Sequence, residues 1–91
     1  MNGLTLRVKL VDGGEHTATL NARNIVAFER WANKGLGKAI GEEKAENLYY
    51  LGWLALKSAG VVVKPFGDAF LDELEDVEII ADPSSESTAT A

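Results

Sequence analysis

The chain has no cysteine, one histidine, one methionine and two prolines among its 91 residues. Without cysteine, neither disulfide bonds nor thiolate chemistry are available, and a zinc site would have to combine His16 with carboxylates alone. No apolar run approaches the ~20 residues of a membrane-spanning helix, and residues 1–11 lack the apolar region of a secretory signal. We therefore expect one small domain with no membrane segment, no metal and no cofactor.

Basic residues are absent after Lys64. Residues 1–64 hold all nine lysines and arginines with six acids, whereas residues 65–91 hold eight acids and no base. The acidic whole, with a net charge of −5, argues against nucleic-acid binding. An acidic run of this kind is ordinarily a solvated face. The alternative is an electrostatic surface for a basic partner or for the basic half of a neighbouring copy.

Two alternating segments at the start of the chain predict a β-hairpin. Leucine or valine occupies every second position from Leu4 to Leu10, the pattern of a half-buried strand. Asp12 and two glycines follow, and glycine accepts the positive φ angles of tight turns. Alternation resumes over residues 15–20, which form the second predicted strand.

Helical spacing predicts about three helices after the hairpin. Ile25 and Phe28 begin the apolar stripe of the first helix, Trp31 widens it, and Asn21 or Asn24 can cap its start. Residues 42–60 form the second predicted helix and residues 66–75 the third, in which phenylalanine and leucine recur every four positions.

The remaining segments are predicted to be connections, a strand and a tail. Gly35 is expected to end the first helix, and residues 35–41, GLGKAIG, to form a flexible connection. Residues 77–81 are a candidate third strand, which would support an otherwise marginal hairpin. Residues 82–91 lack apolar bulk and are expected to be disordered. The predicted fold is therefore α+β, with one domain over residues 1–81 and a tail over residues 82–91.

The second predicted helix, EEKAENLYYLGWLALKSAG, has more apolar surface than one face requires. Tyr50, Trp53 and Leu54 fall on or beside the face where polar residues are expected. A helix that is apolar nearly all round is normally buried on all sides, and a chain of this size cannot easily surround it. We therefore predict partner binding through Tyr50, Trp53 and Leu54, with Trp31 and Phe70 as alternatives if those three are buried. Trp31 is otherwise expected in the core.

The same helix and the uneven charge also predict that the chain self-associates. Association through charge should weaken with salt, whereas association through apolar burial should survive it.

No motif indicates catalysis. His16 has no nucleophile or orienting acid near it in sequence and is expected at the rim of the hairpin. The segment GLGKAIG resembles a phosphate loop, but Ala39 follows Lys38 where that motif has serine or threonine, and a helix precedes it instead of a strand. The acids between Asp68 and Asp76 do not have the spacing of a calcium loop. An enzyme is therefore the least favoured class.

Four segments resemble the tail assembly chaperones of long-tailed bacteriophages. They are VKLVDGGEHTATL, NIVAFERWAN, YYLGWLALKSAG, and PFGDAFLDELEDVEII followed by ADP. The most specific parts are Trp53-x-Ala-Leu-Lys-x-x-Gly60, a Pro-Phe with a second phenylalanine four positions on, and an acidic helix running into Asp-Val-Glu-Ile. The resemblance covers residues 4–83. Residues 33–42 depart from the family, in which this connection is often more basic.

The resemblance implies a non-enzymatic role in the cytoplasm of the bacterial host. Such proteins bind the long helical tape measure protein, keep it soluble and help tail tube subunits to assemble around it. They are commonly made in a short form and a frameshifted long form, and this chain resembles the short form. A generic acidic adaptor that forms homo-oligomers is the alternative, because it would share the same composition.

Overall fold

A computed structural model describes residues 4–81, which form a three-stranded antiparallel sheet and four helices. The α+β prediction is confirmed. The elements, in chain order, are β1 (Thr5–Leu10), β2 (Glu15–Thr19), α1 (Ala22–Ala32), α2 (Leu36–Gly41), α3 (Ala45–Ser58), α4 (Asp68–Glu73) and β3 (Leu74–Ala81). The predicted disorder of residues 82–91 lies outside the described residues. Within residues 4–81, no helix is long and apolar enough to cross a membrane.

The predicted hairpin is confirmed, with Val8 opposite His16 in the register of β1 and β2. The turn is closed by a hydrogen bond of 2.8 Å from the backbone N–H of Leu10 to the carbonyl of Gly14. Asp12 accepts the N–H of Gly14 through its carboxylate at 2.8 Å, and Gly13 has the positive φ of +96° that the turn requires.

The predicted third strand is also confirmed and is longer than residues 77–81. β3 begins at Leu74, directly after α4, and pairs antiparallel with β1 to give the sheet order β2-β1-β3. The predicted third helix is correspondingly shorter, because the chain becomes extended at Leu74. The pairing places Val77 opposite Val8, so both valines lie on the face that the helices cover.

A reciprocal asparagine pair starts α1. Asn21 is the cap, accepting the N–H of Asn24 at 2.8 Å, while Asn24 accepts the N–H of Asn21 at 3.1 Å. The helix ends at Asn33, whose backbone is left-handed with φ 58°. The expectation that Gly35 stops this helix is therefore wrong, since asparagine also tolerates that conformation.

The flexible connection predicted for GLGKAIG is wrong: residues 36–41 are α2. Its Leu36 and Ala39 are buried and Ile40 packs against the core, so the apolar residues recur at helical spacing despite the three glycines. Glu29 holds the start of the helix by accepting the N–H of Leu36 at 2.8 Å. Packing of an apolar face outweighs the low helix propensity of glycine here.

α3 starts three residues later than predicted. Glu43 has a φ of +55° and Lys44 is the cap, so the first helical residue is Ala45. α3 packs against all three strands and against α1 and α2. It approaches the sheet closely at Gly52, where an added Cβ would lie 2.7 Å from Cγ2 of Val77. The core is therefore built around α3, and its fully buried side chains include Leu4, Leu6, Val8, Phe28, Leu51, Leu56 and Phe70.

Candidate protein-interaction surfaces

Six of the seven aromatic side chains meet in one connected group, which we call the aromatic cluster. Its members are Phe28 and Trp31 of α1, Tyr50 and Trp53 of α3, Phe66 of the following connection and Phe70 of α4. Four separate segments therefore converge on a single apolar site. Aromatic pairs of this kind stabilise by ~0.5–1.5 kcal/mol beyond the area they bury.

Trp31 and Tyr50 form the open side of the aromatic cluster. Their rings are stacked, with centroids 4.1 Å apart and planes within 3° of parallel. Trp31 remains 39% exposed, so the expectation that it belongs to the core is wrong. Trp31 lies near the end of α1, with only one face of its ring against Tyr50. The stack fixes both rings and leaves a flat apolar surface open to solvent.

Phe66 joins the two tryptophans to Tyr50 and was missed as a candidate from sequence. Its ring meets Tyr50 edge-on at 4.9 Å and Trp31 at 5.9 Å. The Pro-Phe pair preceding an acidic helix was the available signal. Because Phe66 was assigned to the apolar face of that helix, its role as a bridge between α1 and α3 was not visible.

Residues 61–65, which we call the strap, run from the end of α3 past the aromatic cluster. The indole N–H of Trp53 donates to the carbonyl of Lys64 at 2.8 Å. The ammonium of Lys64 lies 3.0 Å from the carboxylate of Glu73, and that of Lys57 lies 4.4 Å from the centre of the Trp53 ring. The Trp53 side chain is therefore half-buried and held by its contacts with Lys64 and Lys57, so only part of its ring is accessible to a partner.

Two predicted contact residues are not at the surface. Leu54 is 6% exposed and Phe70 is 1% exposed, so neither offers apolar area to a partner in this fold. The reason is the central position of α3, whose circumference is largely covered by the sheet, α1 and α2. Much of the apparent surplus of apolar surface on this helix is thus absorbed within the chain.

A groove of about 370 Å³ lies between α2, the start of α3 and β3. We call it the α2–β3 groove. Ile40, Leu48 and Ile79 supply apolar lining, and Asn47 lies beside them, donating to the carbonyl of Ala39 at 3.4 Å. Its other lining residues are Glu43, Lys44, Ala45, Tyr49, Leu51 and Asp76. The volume suits one or two large apolar side chains. No sequence pattern predicted the groove, because one wall comes from residues 39–51 and the other from β3, which is distant in sequence.

Charges around these surfaces are partly paired. Arg7 crosses the sheet to Glu78 at 3.1 Å and to Glu15 at 3.9 Å. Lys34 donates to Glu42 at 2.6 Å, and this hydrogen bond lowers the pKa of the Glu42 carboxyl against a smaller opposing effect of desolvation. The acids of β3 have no basic neighbour on their own strand, but Glu78 and Asp76 lie opposite Arg7 and Lys9 of β1, so the acidic excess of this region is partly offset across the sheet.

The other residues singled out in the sequence lie on separate elements. His16 is half-buried in β2, near the turn of the hairpin. Lys38 lies exposed on α2, a helix of six residues in place of a phosphate loop. Among residues 4–81, no group of three histidine, aspartate or glutamate side chains is arranged to hold a metal ion.

No protein-family model, curated protein or solved structure matches this chain.

Proposed function

We propose that the protein is a tail assembly chaperone of a long-tailed bacteriophage, in its short form. It binds an apolar helical segment of the tape measure protein in the cytoplasm of the bacterial host and keeps that protein soluble, without catalysis or a cofactor. A frameshifted longer form of the same chain and the tail tube protein are the further partners in this role. The resemblance of residues 4–83 to that family supports the proposal.

The observation that carries the proposal is the open side of the aromatic cluster. Trp31 presents a flat ring that its stack with Tyr50 already holds in place, so binding orders few side chains. Tryptophan and tyrosine commonly supply the largest share of binding energy at protein interfaces. We assign the contact to Trp31, Tyr50 and the accessible part of Trp53, with Phe66 behind them. An amphipathic helix could lay its apolar stripe across this surface.

Co-expression with the tape measure protein encoded in the same genome tests the role. We expect the tape measure protein to be soluble with this chain, insoluble without it, and recovered as a complex. If the tape measure protein is equally soluble alone and no complex forms, the chaperone proposal is wrong. The position of the gene just upstream of a very long, helix-rich reading frame is a further expectation.

Trp31→Ala tests the choice of surface. Truncating an interface aromatic commonly costs ~2 kcal/mol or more, about thirtyfold in affinity. Val11→Ala is the matched control, because Val11 is also an exposed apolar residue but lies in the hairpin turn. Thermal unfolding of both variants separates lost binding from lost folding, since Trp31→Ala also removes the stack with Tyr50. A folded Trp31→Ala protein that still solubilises the tape measure protein rejects the surface and leaves the role standing.

The acidic side formed by α4 and β3 favours a second candidate, a homo-oligomeric adaptor for a basic partner. Residues 65–81 contain six acids and no base, which suits electrostatic recognition. Capture of a basic protein other than the tape measure protein, with binding that weakens as salt rises, would favour this adaptor over the chaperone.

A further inference from the structure

Asn47 is the one polar side chain that is buried in the part of the chain that the structure describes. It is 7% exposed, and its side-chain N–H donates to the carbonyl of Ala39 at 3.4 Å, a longer distance than the ~2.9 Å of a typical bond of this kind. Its Oδ1 accepts no hydrogen bond from the described residues. Every fully enclosed polar side-chain atom of those residues has a partner, so this oxygen is open to the α2–β3 groove, which Asn47 lines.

Helix capping does not account for Asn47. Asn24 is the third residue of α1, and its side-chain oxygen accepts the N–H of the cap Asn21 at 3.1 Å. Asn47 is likewise the third residue of α3, but it makes no such bond to the cap Lys44. Burying an amide costs free energy unless its hydrogen bonds are made, and an aliphatic side chain would fill the same space without that cost. The open oxygen therefore indicates a donor from outside the chain.

The walls of the groove set the size of the group that could supply this donor. The volume of about 370 Å³ lies at the lower end of the range for small-molecule sites, ~300–1,000 Å³. Ile40, Leu48 and Ile79 give apolar walls, and Tyr49, the one aromatic residue outside the aromatic cluster, also lines the groove. An aromatic ring packs favourably against another ring, and a rigid ligand loses little conformational freedom on binding. The lining therefore favours a small aromatic body.

The charged residues of the groove favour a neutral ligand. Glu43, Lys44 and Asp76 line the groove and are exposed, which places their charges at its mouth. An anion would meet two acids there and a cation would meet Lys44. Either would also have to leave water for apolar walls, which is costly for an ion. A neutral molecule avoids these costs.

We propose that the α2–β3 groove binds a small neutral aromatic molecule with a single N–H or O–H donor, of which indole and phenol are the simplest examples. The donor bonds to Oδ1 of Asn47, and the ring lies between Ile40, Leu48 and Ile79. No member of the aromatic cluster lines the groove. The proposal is therefore independent of binding to the tape measure protein.

Indole and N-methylindole test the donor, because they share a ring system and differ at the N–H. We expect indole to bind the full chain with a Kd on the order of 0.1–1 mM. N-methylindole should bind roughly fivefold to tenfold more weakly, because it leaves Oδ1 of Asn47 unpaired. NMR titration of isotope-labelled protein measures both affinities and locates the site. The side-chain amide of Asn47 and the methyl groups of Ile40 and Ile79 should shift, and equal affinities or shifts confined to the aromatic cluster overturn the proposal.

Asn47→Leu tests the role of the acceptor, because leucine has nearly the same size and no polar atom. The variant should bind indole and N-methylindole equally, and a preference for indole that survives in folded Asn47→Leu overturns the assignment to Asn47. Thermal unfolding checks that the variant is folded, and the comparison of the two ligands in the wild-type protein does not depend on it. N-acetyltryptophanamide represents the side chain of a protein partner. If it binds tenfold more tightly than indole, the groove recognises a tryptophan of another chain, and the free small molecule is wrong.

Discussion

Replacing Gly52 with alanine measures how closely α3 lies on the sheet. The added Cβ would lie 2.7 Å from Cγ2 of Val77 and 3.2 Å from its Cγ1, with Cγ2 of Val8 at 3.4 Å. Both methyl groups of Val77 fall within the overlap, and a β-branched side chain has few alternative rotamers. Because Val77 is also buried, relief of the clash is costly whether Val77 rotates or the helix and β3 move apart.

The expected loss of stability follows from two opposing effects. Alanine is favoured over glycine in a helix interior by ~1 kcal/mol, whereas overpacking a core costs ~1–3 kcal/mol. Because Val77 is buried and Gly52 is enclosed on the sheet side, we take the upper half of that range for the overpacking cost. Gly52→Ala should then lower the free energy of unfolding by ~1–2 kcal/mol, which lowers the Tm by roughly 5–15 °C in a domain of this size.

Denaturant and thermal unfolding measure the effect, with Gly37→Ala of α2 as the matched control. A Cβ at position 37 meets nothing within 4 Å, so the same substitution should stabilise there by up to ~1 kcal/mol. In the double variant Gly52→Ala/Val77→Ala, the loss should be smaller than the sum of the single losses by ~1 kcal/mol or more. A Gly52→Ala protein that is as stable as the wild type, together with additive behaviour of the pair, would refute the close approach.

Three further substitutions have expected outcomes in the same unfolding assays. Asn21→Ala removes the cap of α1 and should destabilise by ~1 kcal/mol; an unchanged Tm would show that the cap contributes nothing. Trp53→Phe removes the donor to Lys64 but keeps an aromatic ring, and should cost ~1 kcal/mol; hydrogen exchange of the strap should rise in parallel. Glu42→Gln tests the hydrogen bond from Lys34. Folding lowers the pKa of the Glu42 carboxyl from 4.5. The contribution of this carboxylate to stability is therefore present above pH 4.5 and is lost as the pH falls through the lowered pKa. The stability gap between Glu42→Gln and the wild type should therefore exist at neutral pH and close in acid; a gap that does not change with pH contradicts this assignment.

The hairpin was predictable because its signals are local. Alternation from Leu4 to Leu10 and the turn residues at Asp12 specify it without knowledge of the rest of the fold, whereas residues 77–81 were a candidate strand because a lone hairpin is marginal. α2 was missed for the opposite reason. Its helical pattern is short, its glycine content is high, and the burial of Leu36 and Ala39 that stabilises it comes from packing against α1 and α3, which the pattern within the segment does not reveal.

The candidate surfaces were only partly predictable. Spacing alone identified the aromatics of α1 and α3, but it could not tell which sides of α3 the other elements would cover. Leu54 was expected outside and is buried, whereas Trp31 was expected inside and is exposed. Helical periodicity identifies which residues share a face of one helix. Whether the side chains on that face are exposed depends on which other elements pack against it.

The order of strands in the sheet has a consequence for how the chain folds. The central strand β1 is near the start of the chain, yet its partner β3 is near the end of the described residues, and Arg7 meets Glu78 across 71 positions. A chain that ends before Leu74 can form the hairpin and α1, but it leaves one edge of β1 unpaired and Val8 without Val77 beside it. Closing so long a loop carries an entropic cost before its contacts form, and topologies rich in distant contacts fold slowly. During synthesis on the ribosome, the sheet can therefore be completed only after β3 has emerged, well after the segments of the hairpin.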